Sequence, residues 1–383
     1  MPLNTQYDVL VLGLGGMGSA ALYHLARRGL RVCGIEQHGE AHALGSSHGE
    51  VRVIRKGYYE HPDYVPLLHR AYELWDEVNA TASDPVFKRC GMLVSAPPDS
   101  ETITGLRDCF EQHGLAHERL TPTEAMRRYP QFRLPESDAV YYEPDAGYLF
   151  VERCVKAHLA LARQHGAESR MNEKVLGWSS DEHGVTVRTA SGALHAAKLV
   201  ITMGPWVREL LASFGVAVDV LRKVQFWYEA PDSDGYRDPA FPIYFVEKDY
   251  GFFYGFPAIG DCGLKIAEHS GGTAVGNPDA VDRELHAVDE TGILRCLAET
   301  FPALKPIRKR HSICMYTKTA DSHFILDTHP EHANVAIGAG FSGHGFKFAS
   351  VIGEILADLA QHGATQHPIG FLRMDRLRAA GKV

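Results

Sequence analysis

The chain has 383 residues, 45% of them hydrophobic and 22% charged, with a formal net charge of -8. That is long for one domain, comfortable for two, and ordinary for a globular protein. The acidic balance without a basic stripe excludes a nucleic-acid surface, and no run of about 18 apolar residues offers a membrane span.

Tyr7-Asp8-Val9-Leu10-Val11-Leu12 is a nearly continuous apolar run, as expected of a strand covered on both faces. Gly13-Leu14-Gly15-Gly16-Met17-Gly18 follows, then Ala20, Ala21, Leu22, Leu25 and Ala26 at helical spacing, closed by Gly29. Arg31 to Glu36 reads as the second strand. This βαβ unit makes a doubly wound α/β domain the expected fold, Rossmann-type. Helices are expected over Tyr64 to Asn79, Ser100 to Gln112, Pro122 to Arg128 and Glu152 to Gly166, with a short strand over Gly91-Met92-Leu93-Val94. Strands at Val185 to Arg188 and Lys198 to Thr202 follow, the second ending in a Met203-Gly204 step back toward the nucleotide. From Val218 to Tyr316 aromatics and alternating residues dominate, which reads as an antiparallel sheet. Lys305, Arg308, Lys309 and Arg310 read as a solvated turn. Val335 to Gly338 is a strand and Ala349 to Gln361 a helix. The expected division is a dinucleotide domain from 1-82, 146-216 and 318-383, with a mixed-sheet catalytic domain from 83-145 and 217-317.

The first residues lack the regions of a signal peptide. Ala380-Gly381-Lys382-Val383 is no peroxisomal tripeptide, so a cytoplasmic protein is expected. Cys33, Cys90, Cys109, Cys154, Cys262, Cys296 and Cys314 form no CxxC pair and no zinc spacing, which argues for free thiols and no metal.

Gly13, Gly15 and Gly18 lie between strand and helix, and Glu36 ends the next strand at the expected distance. Glycines let the backbone approach a pyrophosphate, and the helix N-terminus offers unpaired N–H groups and a positive dipole end. Glu36 can accept hydrogen bonds from ribose hydroxyls and repels a 2′-phosphate, so FAD or NAD is expected and NADP is not. The motif does not choose between the two.

Further blocks do. Gly45-Ser46-Ser47-His48-Gly49-Glu50-Val51-Arg52-Val53-Ile54-Arg55, Tyr254-Gly255-Phe256-Pro257, Gly263-Leu264-Lys265, Cys314-Met315-Tyr316-Thr317-Lys318 and Gly340-Phe341-Ser342-Gly343-His344-Gly345-Phe346-Lys347 occur in this order. Together they resemble the monomeric sarcosine oxidase and N-methyltryptophan oxidase family over essentially the whole chain. The resemblance selects FAD and implies a covalent 8α-S-cysteinyl link at Cys314. It implies that Arg55 and Lys347 clamp the substrate carboxylate, a task that suits cations held away from water. It puts Arg52 over the flavin face, His48 near the flavin, and Ser46 and Val175 among the cofactor contacts. Gly343, His344 and Gly345 would meet the flavin pyrimidine edge, where donors raise the potential. Lys265 matches a lysine near flavin N5, where an ammonium stabilises the anion made when oxygen takes an electron. His269 resembles the histidine that contacts the substrate amine, with Tyr254 and Tyr316 around it.

Three positions depart from the family. Ser47 and Val51 stand where a second histidine and a threonine are common, and Phe245, in the substrate pocket, stands where sarcosine oxidases carry methionine. The expected reaction is oxidative demethylation of sarcosine or a similar small N-methyl amino acid, with oxygen as acceptor and formaldehyde and hydrogen peroxide as products. Three alternatives stay open: another secondary amine (N-methyltryptophan, pipecolate or proline), a dehydrogenase with a non-oxygen acceptor, and a nonenzymatic binding module. The resemblance leans toward a monomer.

Overall fold

The computed structural model describes residues 6–230 and 235–379, so the C-terminal tetrapeptide weighed above lies outside the described residues. Tyr7–Leu12 is the heart of an eight-stranded sheet. It pairs in parallel with Val32–Ile35 on one side and Gly192–Ile201 on the other. Val335–Ala339 extends the parallel run beyond Gly192–Ile201, and Glu168–Arg170 beyond Val32–Ile35. Gly184–Thr189 and Val175–Asp181 continue the sheet as antiparallel strands. The apolar first strand is buried from Val9 to Leu12 because both faces are covered. Helices Gly16–Arg27, Val151–Gln164 and Ala349–His362 pack together on one face. Val207, Leu211, Met374 and Leu377 cover the other.

The nine-stranded second sheet is mixed and mostly antiparallel. Its longest ladder pairs Val218–Tyr228 with Arg308–Thr319, which sets Lys223 opposite Cys314 and Leu221 opposite Tyr316. Phe132, Tyr236, Phe241, Tyr244 and Phe301 fill the core on one side. A small third sheet joins Val51–Ile54 to Gly147–Phe150 and Phe87–Arg89. It had no counterpart in the sequence reading, yet its first strand carries Arg52.

Two further expectations are corrected. A helix, Ala287–Thr300, interrupts the aromatic half that read as sheet alone. Its buried Ile293, Cys296, Leu297 and Thr300 fall on one helical face, a short stripe masked by the strands around it. Arg308, Lys309 and Arg310 form no turn: they open the strand Arg308–Thr319, where Arg310 meets Glu50 at 2.9 Å. Among the described residues no helix is long and apolar enough to cross a membrane.

Candidate active site

The glycine turn is shaped by contact distances. Gly13 has φ 84°, and a Cβ there would lie 2.6 Å from the carbonyl oxygen of Thr202. A Cβ on Gly18 would lie 1.8 Å from the carbonyl oxygen of Gly13, so this glycine lets the helix seat against the turn and does not itself reach the cavity. Helix Gly16–Arg27 has no side-chain cap of its own; Ser47 Oγ supplies one by accepting from Gly16 N at 3.0 Å. Glu36 accepts from Leu14 N at 2.8 Å and His38 N at 3.0 Å, and His42 Nε2 lies 3.3 Å away. Burial alone would raise its carboxyl; His42 and the two backbone donors overcome that and hold it below the usual value.

From this turn a cavity of about 1070 Å³ runs to the second sheet. It brings together Gly13, Gly15, Glu36, Ser46, Arg52, Val175, Cys314, Gly343, His344 and Gly345, then Arg55, Phe245, Tyr254, His269, Tyr316 and Lys347 at its far end. His48 and Lys265, like Gly18, stand outside its wall.

Cys314 lines the cavity. All seven thiols are free. Burial pushes the thiols of Cys33, Cys90, Cys109, Cys154, Cys262 and Cys296 up. Burial acts on Cys314 too, but His48, Arg52 and Lys265 prevail and bring it down to about 6. Arg52 Nη2 donates to its Sγ at 3.4 Å and to Ser46 O at 3.3 Å, while Nη1 donates to Gln225 Oε1 at 3.1 Å. Lys265, 1% exposed, lies behind the wall and donates to the carbonyls of Gly49 at 2.6 Å and Val51 at 2.8 Å. Burial, then Arg52, pushes its ammonium well down; Glu50, Cys314 and Glu152 oppose this.

At the far end Arg55 is 1% exposed. Its Nη2 donates to both carboxylate oxygens of Glu60 at 2.7 Å, and its Nη1 to Gly57 O. Its guanidinium lies over Tyr58, Tyr59 and Phe245, 4.5 to 5.4 Å from their centroids. Lys347 Nζ donates to His344 O at 2.7 Å. Burial, helped by Arg55, lowers that ammonium to about 7 against the pull of Glu60. Glu60 falls to about 2, because Arg55, His344 and Lys347 outweigh its own burial. His344 has both ring nitrogens engaged, Nδ1 with Tyr58 OH and Nε2 with Ser322 O at 2.9 Å. With the Ser322 carbonyl accepting, Nε2 carries the proton and Nδ1 accepts from the phenol. His269 Nδ1 lies 3.5 Å from Tyr316 OH. Its ring is held neutral, at about 3, by burial first and by neighbouring cations.

Glu60, His42 and Gln225 went unremarked in the sequence, and nothing there gave Ser47 its capping role or Glu152 its place at the site. Glu60 follows Arg55 by five positions in an aromatic loop, a spacing with no helical or strand meaning, so only the loop's path reveals the pair. Glu152 opens helix Val151–Gln164 and accepts from Gly49 N at 2.7 Å, a bond between distant segments.

A flavin dinucleotide fits these residues. The glycine cradle and Glu36 suit the adenosine and pyrophosphate end, and the one lowered thiol lies along the same cavity as two buried cations. The signature of the family described as FAD dependent oxidoreductase matches residues 8–359. The chain is 41% identical to a monomeric sarcosine oxidase from Streptomyces avermitilis, over 99% of this chain and 100% of that protein. It is 38% identical to one from Bacillus sp. (strain B-0618), over 98% and 97%. An N-methyl-L-tryptophan oxidase from Salmonella enteritidis PT4 is 36% identical, over 97% and 99%. NikD, an unusual amino acid oxidase essential for nikkomycin biosynthesis, superposes in its open form with a TM-score of 0.84 at 26% identity, covering 96% of this chain and 97% of that one. L-proline dehydrogenase from P. horikoshii shares the fold, with a TM-score of 0.85 at 24% identity over 99% of each chain. Cradle, thiol, cations and full-length similarity agree, and the chain belongs to the FAD-dependent oxidoreductases, among the monomeric sarcosine oxidases and N-methyltryptophan oxidases that act on the CH–NH group of their donors.

Proposed function

We propose that this chain oxidises sarcosine or a similar small N-methyl amino acid, with oxygen as acceptor and FAD held covalently by Cys314. The observation that carries the reading is the pair of buried cations, Arg55 and Lys347, at the far end of a cavity that begins on the glycine turn. A small amino acid presents one fixed anion, its carboxylate, and buried cations without such a partner are costly. Arg55 is held by Glu60 in this structure, so an incoming carboxylate shares or displaces that contact. The aromatic wall of Tyr59, Phe245 and Tyr254 excludes water around the rest of the substrate.

FAD, when bound, supplies a two-electron acceptor. The residues prepare the amine for it. Oxidation requires the neutral amine, and the local excess of cations, Arg52, Arg55 and Lys347, disfavours an ammonium beside them. His269, neutral at working pH, can accept a hydrogen bond from the amine N–H. Overall the N–H and a methyl C–H bond become a C=N bond, and two electrons and two protons pass to oxygen as hydrogen peroxide. Water then adds to the imine and the C–N bond breaks, giving formaldehyde and the primary amino acid.

The test is peroxide release from the yellow enzyme across sarcosine, N-methyltryptophan, pipecolate and proline. The expected result is the largest kcat/KM for sarcosine. A larger value for another amine favours the second reading, which the relatives named for N-methyl-L-tryptophan and the phenyl ring of Phe245 in the wall support. Reduction of a dye without peroxide release would replace the oxidase by a dehydrogenase.

Binding should also depend on pH. The free Lys347 ammonium is intact below about 7 and is lost above it. The Kd of acetate, a minimal carboxylate probe, is therefore expected to rise as pH passes through 7, and Lys347→Met should remove that inflection. A flat profile in the parent would take Lys347 out of the clamp.

A further inference from the structure

Lys223 is a buried ammonium that the reaction above leaves unused. It stands on Val218–Tyr228, directly opposite Cys314 in the antiparallel ladder, and is 6% exposed. Its Nζ donates to three successive carbonyls, those of His269 at 3.2 Å, Ser270, and Gly271 at 3.2 Å. These carbonyls belong to the turn after Leu264–Glu268, where Gly271 has φ 64° and Gly272 φ 119°. The lysine stem closes on the turn as well: a Cβ on Gly272 would lie 3.0 Å from Lys223 Cδ. The ammonium also lies 5.3 Å from the centroid of Tyr316, whose hydroxyl faces His269. An ion seated on three carbonyls holds a turn more firmly than neutral hydrogen bonds do, because each bond is charge-assisted.

We propose that Lys223 is a positioning residue: its ammonium fixes the 269–271 turn and so holds His269 at the amine-binding end of the cavity, and turnover depends on its charge. This rests on the reading of His269 as a contact of the substrate amine. The groups facing Lys223 are Cys314, Tyr316 and Lys318 on Arg308–Thr319, and Glu268 and His269 on the neighbouring strand and its turn. Burial lowers the ammonium to about 8, against the pull of Glu268 and Cys314 and with the push of Lys318. The clamp is therefore charged below about 8 and loses its charge above it.

The test uses the flavin-loaded enzyme with sarcosine as probe and compares the parent with Lys223→Gln and Lys223→Arg. The quantity read is kcat, which reports groups in the substrate complex, where a bound carboxylate keeps Lys347 charged. Lys223→Gln is expected to lose roughly 10- to 100-fold in kcat at unchanged flavin content, the cost of loosening a reacting group by about an ångström. The parent kcat should fall as pH passes about 8. That limb should be missing in Lys223→Gln and move well to the alkaline side in Lys223→Arg, which stays charged. An unchanged kcat in Lys223→Gln would overturn the proposal. If Lys223→Gln does not load flavin, a parent limb that Lys223→Arg fails to shift overturns it equally. Amide hydrogen exchange over residues 268–273, corrected for intrinsic rates, needs no turnover. Lost protection in Lys223→Gln supports the clamp and equal protection sinks it, whereas an enzyme inactive on every amine tried sinks only the functional reading.

Discussion

Lys265→Met is expected to slow the return of yellow colour when the reduced enzyme meets oxygen by roughly 10²- to 10³-fold, the usual cost of deleting one group that stabilises developing charge. Bleaching by the amine under anaerobic conditions should change far less. The reason lies in where the ammonium sits. It is buried behind Gly49 and Val51, whose carbonyls take two of its three N–H groups among the described residues. The indole of Trp227 and the ring of Phe256, each 5.1 Å from Nζ, wall it off. Water does not screen such a charge, so its field acts on the cavity at close to full strength. Burial also pushes this ammonium well down, so the oxygen step in the parent should slow at alkaline pH as the proton is lost, and the methionine variant should lack that limb. Equal slowing of bleaching and recolouring would remove the role, since a packing defect harms both steps alike.

Cys314→Ser is expected to abolish covalent attachment altogether. After acid precipitation the parent pellet stays yellow, whereas the variant pellet is colourless and its supernatant yellow. The chemistry follows from the thiol. Only a thiolate is a competent nucleophile, and Cys314 alone among the seven is lowered, to about 6, so it is largely ionised at neutral pH. In protein freed of flavin it should therefore be alkylated by iodoacetamide at pH 7 before the other six, which peptide mass mapping would read. A yellow pellet from the serine variant, or a colourless one from the parent, would sink the link at this residue.

The two predictions share one piece of architecture. Glu152 accepts from the backbone of Gly49 and Glu50, and Gly49 O accepts from Lys265. Glu50 adopts φ 71° and is held through its side chain by Trp227 at 2.7 Å and Arg310 at 2.9 Å. A strained residue persists where its surroundings over-determine it. The bend places Arg52 against Cys314 on one side and two carbonyls against Lys265 on the other.

Local order was legible in the chain itself. The apolar run Tyr7–Leu12, the glycine spacing and Glu36 are near neighbours, so short-range sterics and periodicity determine the turn and the helix that follows. Helix Pro122–Arg128 likewise announces itself through Thr121, whose side chain and that of Glu124 complete a capping box. The blocks around Arg52, Lys265, Cys314 and Lys347 pointed to the family, and most of their residues do line one cavity. What no local pattern contains is partnership across the fold. Glu60 on Arg55, Ser47 on the helix start, Lys223 opposite Cys314 and Lys265 beneath Gly49 depend on loop paths and strand register. Register is decided by burial of whole faces, summed over many residues, and a shift by one between these two strands would put Lys223 and Cys314 on opposite faces of the sheet. The residue types for this chemistry are thus written in the sequence, while their charge states and contacts are consequences of tertiary burial.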